Sequence, residues 1–197
     1  MGLITGCSIQ ASASEVGITS RIDLVVRAEV LINAAPQAIW PKVKHFQLFL
    51  HHIISLRNIA GPTDGIGEVL EVTQQVDHKG STRKILLKTV EQTEYEGLVQ
   101  KVYPPAGQEY IGYESTRLEP VEGGRTRVIK ELYLEGTEGS GSVSVSEEEL
   151  HRREMTARRQ TQTYLQAGLE RIKRQLESLG TTPDQTNERP DMSNHSR

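Results

Sequence analysis

Residues 147–179 pattern as one long amphipathic helix, and that helix limits what the rest of the chain can build. Ser146-Glu147-Glu148-Glu149 is a capping box, with a serine hydroxyl for the orphan N–H groups of the first turn and a glutamate three residues on. The three acids also suit the positive end of the helix dipole, and Arg171, Lys173 and Arg174 stand near the other end. Gly180 is placed to close the helix in the left-handed conformation. At 1.5 Å per residue the element is roughly 50 Å long. Leu165, Leu169, Ile172, Leu176 and Leu179 recur at spacings of four and three, so one face of the second half must be buried. Traced backward, that face carries Thr161, Arg158, Glu154 and His151, which are polar.

The only large partner available to such a face is a sheet. Ile22, Leu24, Val26, Ala28, Val30 and Ile32 alternate with Asp23, Arg27 and Glu29, which predicts a strand over 22–32 with one buried face. Asn33-Ala34-Ala35-Pro36 ends it and opens a helix carrying Ile39, Trp40, Val43 and Phe46, with Pro41 forcing a kink or a second start. A short second helix is expected near Phe49 to Ile53. From Ser55 to Tyr133, turn signals recur every eight to fifteen residues or so, the pattern of an antiparallel meander. The expected architecture is α+β: a curved antiparallel sheet of about seven strands wrapped around a long C-terminal helix, with two short helices after the first strand.

Size and composition allow this and exclude other classes. The chain has 197 residues, enough for one domain with a sizeable core. A leader over 1–20, a folded domain over 21–180 and a disordered tail over 181–197 are expected, the tail because it holds almost nothing apolar to offset its ordering entropy. A net charge of -3 and an aromatic content of 5% argue against nucleic acid. No apolar run approaches the roughly 20 residues of a membrane-spanning helix. The single cysteine, Cys7, excludes an internal disulfide and suits a reducing, cytoplasmic setting. Ile4-Thr5-Gly6-Cys7 is shaped like a lipoprotein cleavage box, but the six residues before the cysteine include no basic residue.

Val30 to Trp40, Ile66-Gly67-Glu68-Val69 and Leu118 to Val128 are three stretches that resemble the START-like superfamily, the helix-grip group that includes the birch pollen allergen type, polyketide cyclases and dehydrases, and lipid-transfer domains. Val30 to Trp40 is similar to the family opening, with a strand, a small residue and proline, then a tryptophan on the first helix. Ile66-Gly67-Glu68-Val69 resembles the glycine that begins the third strand. Leu118-Glu119-Pro120 through Gly124-Arg125-Thr126-Arg127-Val128 resembles the late hairpin, although Arg125 interrupts the usual Gly-Thr. The match spans 21–180 and its motifs are structural, so it implies a fold and a small hydrophobic ligand but no particular activity. Plant abscisic acid receptors share the opening. Their gate is replaced here by Asp77-His78-Lys79-Gly80-Ser81, which excludes that role.

Searches for chemistry leave few candidates. There is no phosphate-binding loop, dinucleotide fingerprint or nucleophile elbow. His45, His51 and His52 lack a two-histidine, one-carboxylate pattern, so no metal and no cofactor are expected. General acid–base work in an apolar pocket is what the resemblance implies. On the strand ending at Leu118, alternation carries Thr116, Glu114, Gly112 and Tyr110 to the same inward face. Glu114, isolated there, would have a raised pKa and serve as acid or base, with Tyr110 donating a hydrogen bond. The alternative is a cross-strand Lys or Arg pairing with Glu114. On the last strand either Val128, Lys130 and Leu132 or Ile129, Glu131 and Tyr133 face inward. Trp40, Gln100, Thr116 and Tyr133 are candidate ligand contacts. So are Glu154 and Arg158, whose other reading is an ordinary solvated i,i+4 pair.

Three functions compete. A cyclase- or dehydrase-like enzyme predicts a cavity of about 300–1,000 Å³ with converging polar groups. A non-catalytic carrier or sensor of a hydrophobic molecule predicts a cavity without a perturbed acid or base. A protein-interaction module predicts a filled core and an exposed apolar patch. Glu114 discriminates between the first two: buried without a cation it favours the enzyme.

Overall fold

A computed structural model describes residues 21–104, 109–137 and 146–179. The expected leader, tail, Gly180 cap and glycine- and serine-rich loop ahead of the last helix lie outside these residues, as does the Leu179 side chain. The elements run β1 (Arg21–Ile32), α1 (Pro36–Val43), a 3₁₀ turn (Phe46–Phe49), β2 (Ile53–Ala60), β3 (Val69–Gln75), β4 (Thr82–Thr93), β5 (Gly97–Tyr103), β6 (Glu109–Val121), β7 (Arg125–Thr137) and α2 (Glu147–Leu179). All strands pair antiparallel in one 7-stranded sheet of order β1-β7-β6-β5-β4-β3-β2. Chain order matches spatial order except that β1 crosses to the far edge, and α1 with the 3₁₀ turn makes that crossing.

The turn chemistry follows the sequence. Gly123 and Gly124 sit at φ 77° and 71°, closing β6 onto β7 where a side chain would be strained. The Ser146 hydroxyl accepts the Glu149 N–H at 3.2 Å, as the capping box requires. Hydrogen bonds from Arg152 and Arg153 hold the Glu149 carboxyl down at about 2. Helix α1 runs through Pro41 and ends two residues later, and the second short helix is the 3₁₀ turn, centred earlier than the pattern suggested.

The apolar stripe of α2 lands off-centre. Leu165, Leu169 and Ile172 pack with Leu24, Val26, Ala28, Val30 and Ile32 of β1, with Ile39, Trp40 and Val43 of α1, and with Phe46. Polar side chains of α2 meanwhile satisfy the free edge of β1 and its neighbours. Lys173 Nζ donates to the Leu31 carbonyl at 2.8 Å and Gln166 Nε2 to the Glu29 carbonyl at 3.2 Å. Arg171 donates to the Phe49 carbonyl at 3.0 Å, and Glu177 accepts the Asn33 N–H at 3.1 Å. These bonds occupy backbone groups that an edge strand otherwise leaves unpaired. A second apolar cluster, Leu70, Val72, Leu87 and Val102, lines the inner face of β3–β5 without helix cover of this kind.

Gly168 fixes how closely α2 approaches the 3₁₀ turn. A Cβ there would lie 2.7 Å from Phe46 Cζ and 3.0 Å from Leu50 Cδ2. Phe46 is only 1% exposed and has no room to yield. Gly168→Ala gains about 1 kcal/mol of helix propensity but overpacks the junction at about 1–3 kcal/mol. The expected outcome is a net loss of about 1 kcal/mol in urea unfolding, against the gain seen at an open helical glycine.

Candidate ligand-binding cavity

Between the two apolar clusters lies a cavity of about 410 Å³. Its walls are Val72, Ile85, Leu87 and Val102 on the sheet, Leu132 and Leu134 on β7, Leu50 and Ile53 near the 3₁₀ turn, and Ala157, Thr161 and Leu165 on α2. Strand register orders the lining into cross-strand rows. Thr89, Gln100, Glu114 and Leu132 form a deep row, Leu87, Val102, Gly112 and Leu134 the next, and Gln74 pairs with Arg83 farther out. The exposed lining residues, Gln75, Val76, Arg83, Gln160 and Tyr164, mark the mouth.

The deep end is polar and closed. Lys130, 1% exposed, places Nζ 3.0 Å from Glu114 Oε1, whose side chain is 11% exposed. The same ammonium donates to Thr116 Oγ1 at 3.2 Å and lies 5.1 Å from the centre of the Phe46 ring. Gln47 Nε2 donates to Glu114 Oε1 and, at 3.4 Å, to Gln100 Oε1, while Gln100 Nε2 reaches Thr89 Oγ1 at 3.4 Å. Each ion thus has both its counter-charge and further hydrogen-bond partners, which a buried pair needs to offset its desolvation.

Alternation on β6 holds: Tyr110, Gly112, Glu114, Thr116 and Leu118 all face the concave side. Glu114 and Tyr110 line the cavity, and Gln100 and Thr116 stand in the polar network behind it. Glu114 is not isolated, however; Lys130 is the cross-strand cation of the alternative reading. On β7 the inward set is Val128, Lys130, Leu132 and Leu134. Tyr133 therefore lies on the convex face, opposite Val25 and Tyr113 and 37% exposed, away from the cavity. Trp40 belongs to the core, 3% exposed and edge-on to Tyr95 at 6.3 Å, and does not line the cavity.

Glu154 and Arg158 also fall outside the lining, which on α2 runs through Ala157, Gln160, Thr161, Tyr164 and Leu165. Arg158 keeps the phase of the stripe, seven residues before Leu165, but the stripe packs toward β1 and the cavity is lined from the neighbouring face of the helix, so Arg158 is left exposed. The sequence reading named only Glu114 and Tyr110 of the lining as site residues; Gln47, His52 and Arg83 are among those it missed. Arg83 was within reach, since the alternation of Ile85 and Leu87 extends to it.

The mouth holds titratable groups of its own. The rings of His52 and Tyr164 lie 5.0 Å apart, and His51 stands 5.1 Å from Tyr164. His52 Nδ1 is buried without a partner among the described residues. Burial, then the charges of His51 and Arg83, push the His52 pKa below 6.5, so its ring is neutral at pH 7. Burial raises the Tyr110 pKa against the opposing effect of Arg83, so its hydroxyl stays protonated and can donate. Among the described residues no cluster of His, Cys, Asp and Glu could hold a metal, and no helix is long and apolar enough to cross a membrane.

No family model and no curated protein sequence matches the chain. Solved structures do. The Zhui aromatase/cyclase from a Streptomyces species superposes with a TM-score of 0.60 at 12% identity, over 81% of this chain and 97% of that one. The chain has a START-like helix-grip fold. A START superfamily protein from Mycobacterium smegmatis matches with a TM-score of 0.57 at 15% identity, over 77% of this chain and 98% of its own. The protein TTHA0849 from Thermus thermophilus matches with a TM-score of 0.57 at 19% identity, over 80% and 99%. At identities this low the superpositions show the fold alone and leave activity to the site.

Two outcomes test the site. Lys130→Met strands a buried carboxylate and is expected to cost about 3–5 kcal/mol in urea unfolding, most of it recovered when Glu114→Gln is added. For His52 the folded pKa lies below the unfolded one, so the unfolded state binds the extra proton as pH falls. Stability contributed by the neutral ring is present above about pH 6.5 and lost below it. His52→Gln should therefore flatten the decline in urea midpoint between pH 7 and pH 5 relative to the parent.

Proposed function

We propose that the chain binds one small hydrophobic molecule in the cavity beneath α2, as a carrier or sensor of that molecule. The cavity of about 410 Å³ between two apolar clusters carries this reading. It lies within the usual range of small-molecule sites, with apolar walls and a few fixed polar groups that set orientation. The Lys130–Glu114 pair favours binding over catalysis, because a carboxylate already held by a buried cation makes a poor acid or base.

Cyclisation or dehydration of the bound molecule is the second reading, favoured by Tyr110 and His52 lining the same space. A protonated hydroxyl and a neutral imidazole are a donor and an acceptor of the kind acid–base steps use. Holding a flexible chain in one conformation would supply the rest.

Binding is tested by mass spectrometry of small molecules that co-purify with the full chain, followed by melting with and without them. A true ligand at about 100 times its Kd should raise Tm by about 5–10 °C. Ala157→Trp, which fills the space from the helix side, should abolish that shift while leaving a folded protein. Unchanged shifts in A157W remove the binding reading. Recovery of the molecule unaltered after long incubation supports a carrier. A conversion slowed on the order of a hundredfold by Tyr110→Phe supports the enzyme.

A further inference from the structure

The charge inside the cavity does not cancel. Lys130 and Glu114 neutralise each other at the deep end. Among the described residues Arg83 is the one other ionised group in the lining, since His52 is neutral at pH 7 and the rest of them carry no charge. On β4, Arg83 stands six residues from Thr89, which shares the row of Glu114, so the mouth and the deep pair are separated by about 20 Å of strand. Among the described residues no carboxylate pairs with Arg83. The nearby Glu71 lies in the opposite strand phase and is taken by Arg57 at 2.7 Å and Lys84 at 3.2 Å.

The guanidinium is nonetheless oriented. Its Nε donates to Gln74 Oε1 at 2.8 Å across the β3–β4 ladder, which fixes the plane of the group. An arginine has five N–H donors in a rigid fork, and the Nη groups are the part that matches a carboxylate in two parallel hydrogen bonds. Tyr110, whose hydroxyl remains a donor, lines the same cavity and lies close enough to Arg83 to feel its charge.

We infer that the cavity mouth is a carboxylate subsite, in which Arg83 holds the anionic end of a ligand whose apolar body runs inward along Ile85, Leu87 and Val102. This rests on the reading of the cavity as a ligand site and adds the chemical class of the ligand: a small amphipathic acid. At about 30 Å³ per water-sized group the space takes on the order of a dozen non-hydrogen atoms, the size of a medium-chain or arylalkyl acid. The headgroup meets its cation at the mouth, where both are still partly hydrated, so the ionised acid enters without the full cost of a buried charge.

The test is calorimetric titration of the full chain with decanoate and with decan-1-ol, a pair matched in chain length, both below their aggregation limits. Decanoate is expected to bind at least about tenfold more tightly, the ratio of a charge-assisted to an ordinary hydrogen bond. Arg83→Gln keeps the length and an amide for Gln74 but removes the charge, and should bring the two affinities to near equality. Lys84→Gln, the adjacent charge on the other face of β4, should keep the preference. Equal affinities in the parent, or a preference that survives in R83Q, overturn the carboxylate subsite and leave the cavity reading standing. Binding of neither compound to folded protein overturns both.

Discussion

The α2 stripe of Leu165, Leu169 and Ile172 seats on β1 and on the Phe46 ring rather than over the middle of the sheet, and the hollow follows from that placement. Two kinds of contact hold it there. The apolar residues, each no more than 5% exposed, supply the burial. Lys173, Gln166, Arg171 and Glu177 supply hydrogen bonds to backbone groups along β1, its following turn and the 3₁₀ turn. Because these bonds are directional, they fix the helix along the edge of the sheet. The glycine at 168 lets it approach Phe46 and Leu50 closely. The inner faces of β3, β4 and β5 are left with apolar side chains that α2 faces across the hollow without packing against them.

Much of this was legible because local signals agreed. Period two over 22–32, the capping box at Ser146 and the stripe at Leu165–Leu176 each have one interpretation, and the structure adopts it. The inward face of β6 was legible for the same reason, since Leu118 anchors the phase. On β7 the phase was not fixed, because Val128 and Ile129 are both apolar and both buried. Ile129 is buried on the convex side, between its cross-strand neighbours Glu29 and Arg117, whose long stems can roof it. A sequence that hides an isoleucine under charged side chains shows two apolar phases at once. Trp40 fitted the pattern of a pocket aromatic but is enclosed by the core.

The site residues missed by sequence share a different cause. Gln47, His52 and Arg83 lie on separate elements, and they converge only because β1 crosses to the far edge of the sheet and brings the 3₁₀ turn back across the opening. Nothing local marks Gln47 or His52, and Arg83 is marked only by the phase it shares with Ile85 and Leu87. Lys130 is an instructive intermediate case. A lysine between Val128 and Leu132 reads as a break in the pattern, and a buried lysine is costly unless paired. Its carboxylate partner is on the neighbouring strand, diagonally placed, and the pair could be read only after the phase of both strands was known.

A buried ion pair is weak evidence for stability, because apolar side chains of the same volume do as well or better. Its effect here is on what the cavity accepts. Glu114 and Lys130 cancel each other's long-range field, so the deep end presents fixed dipoles rather than a net charge, with Gln47 and Gln100 locked beside them. Beyond that row the lining is Leu87, Val102 and Leu134, and then the cation at Arg83. Polarity therefore varies along the axis from neutral and polar, through apolar, to positive. On the proposed reading, a molecule with its charge at the wrong end would leave Arg83 without its anion and bury its own ion at the deep end, where no net charge meets it. On the proposed reading, orientation inside the cavity is set by desolvation at one end and by charge at the other, and neither requires a group that reacts.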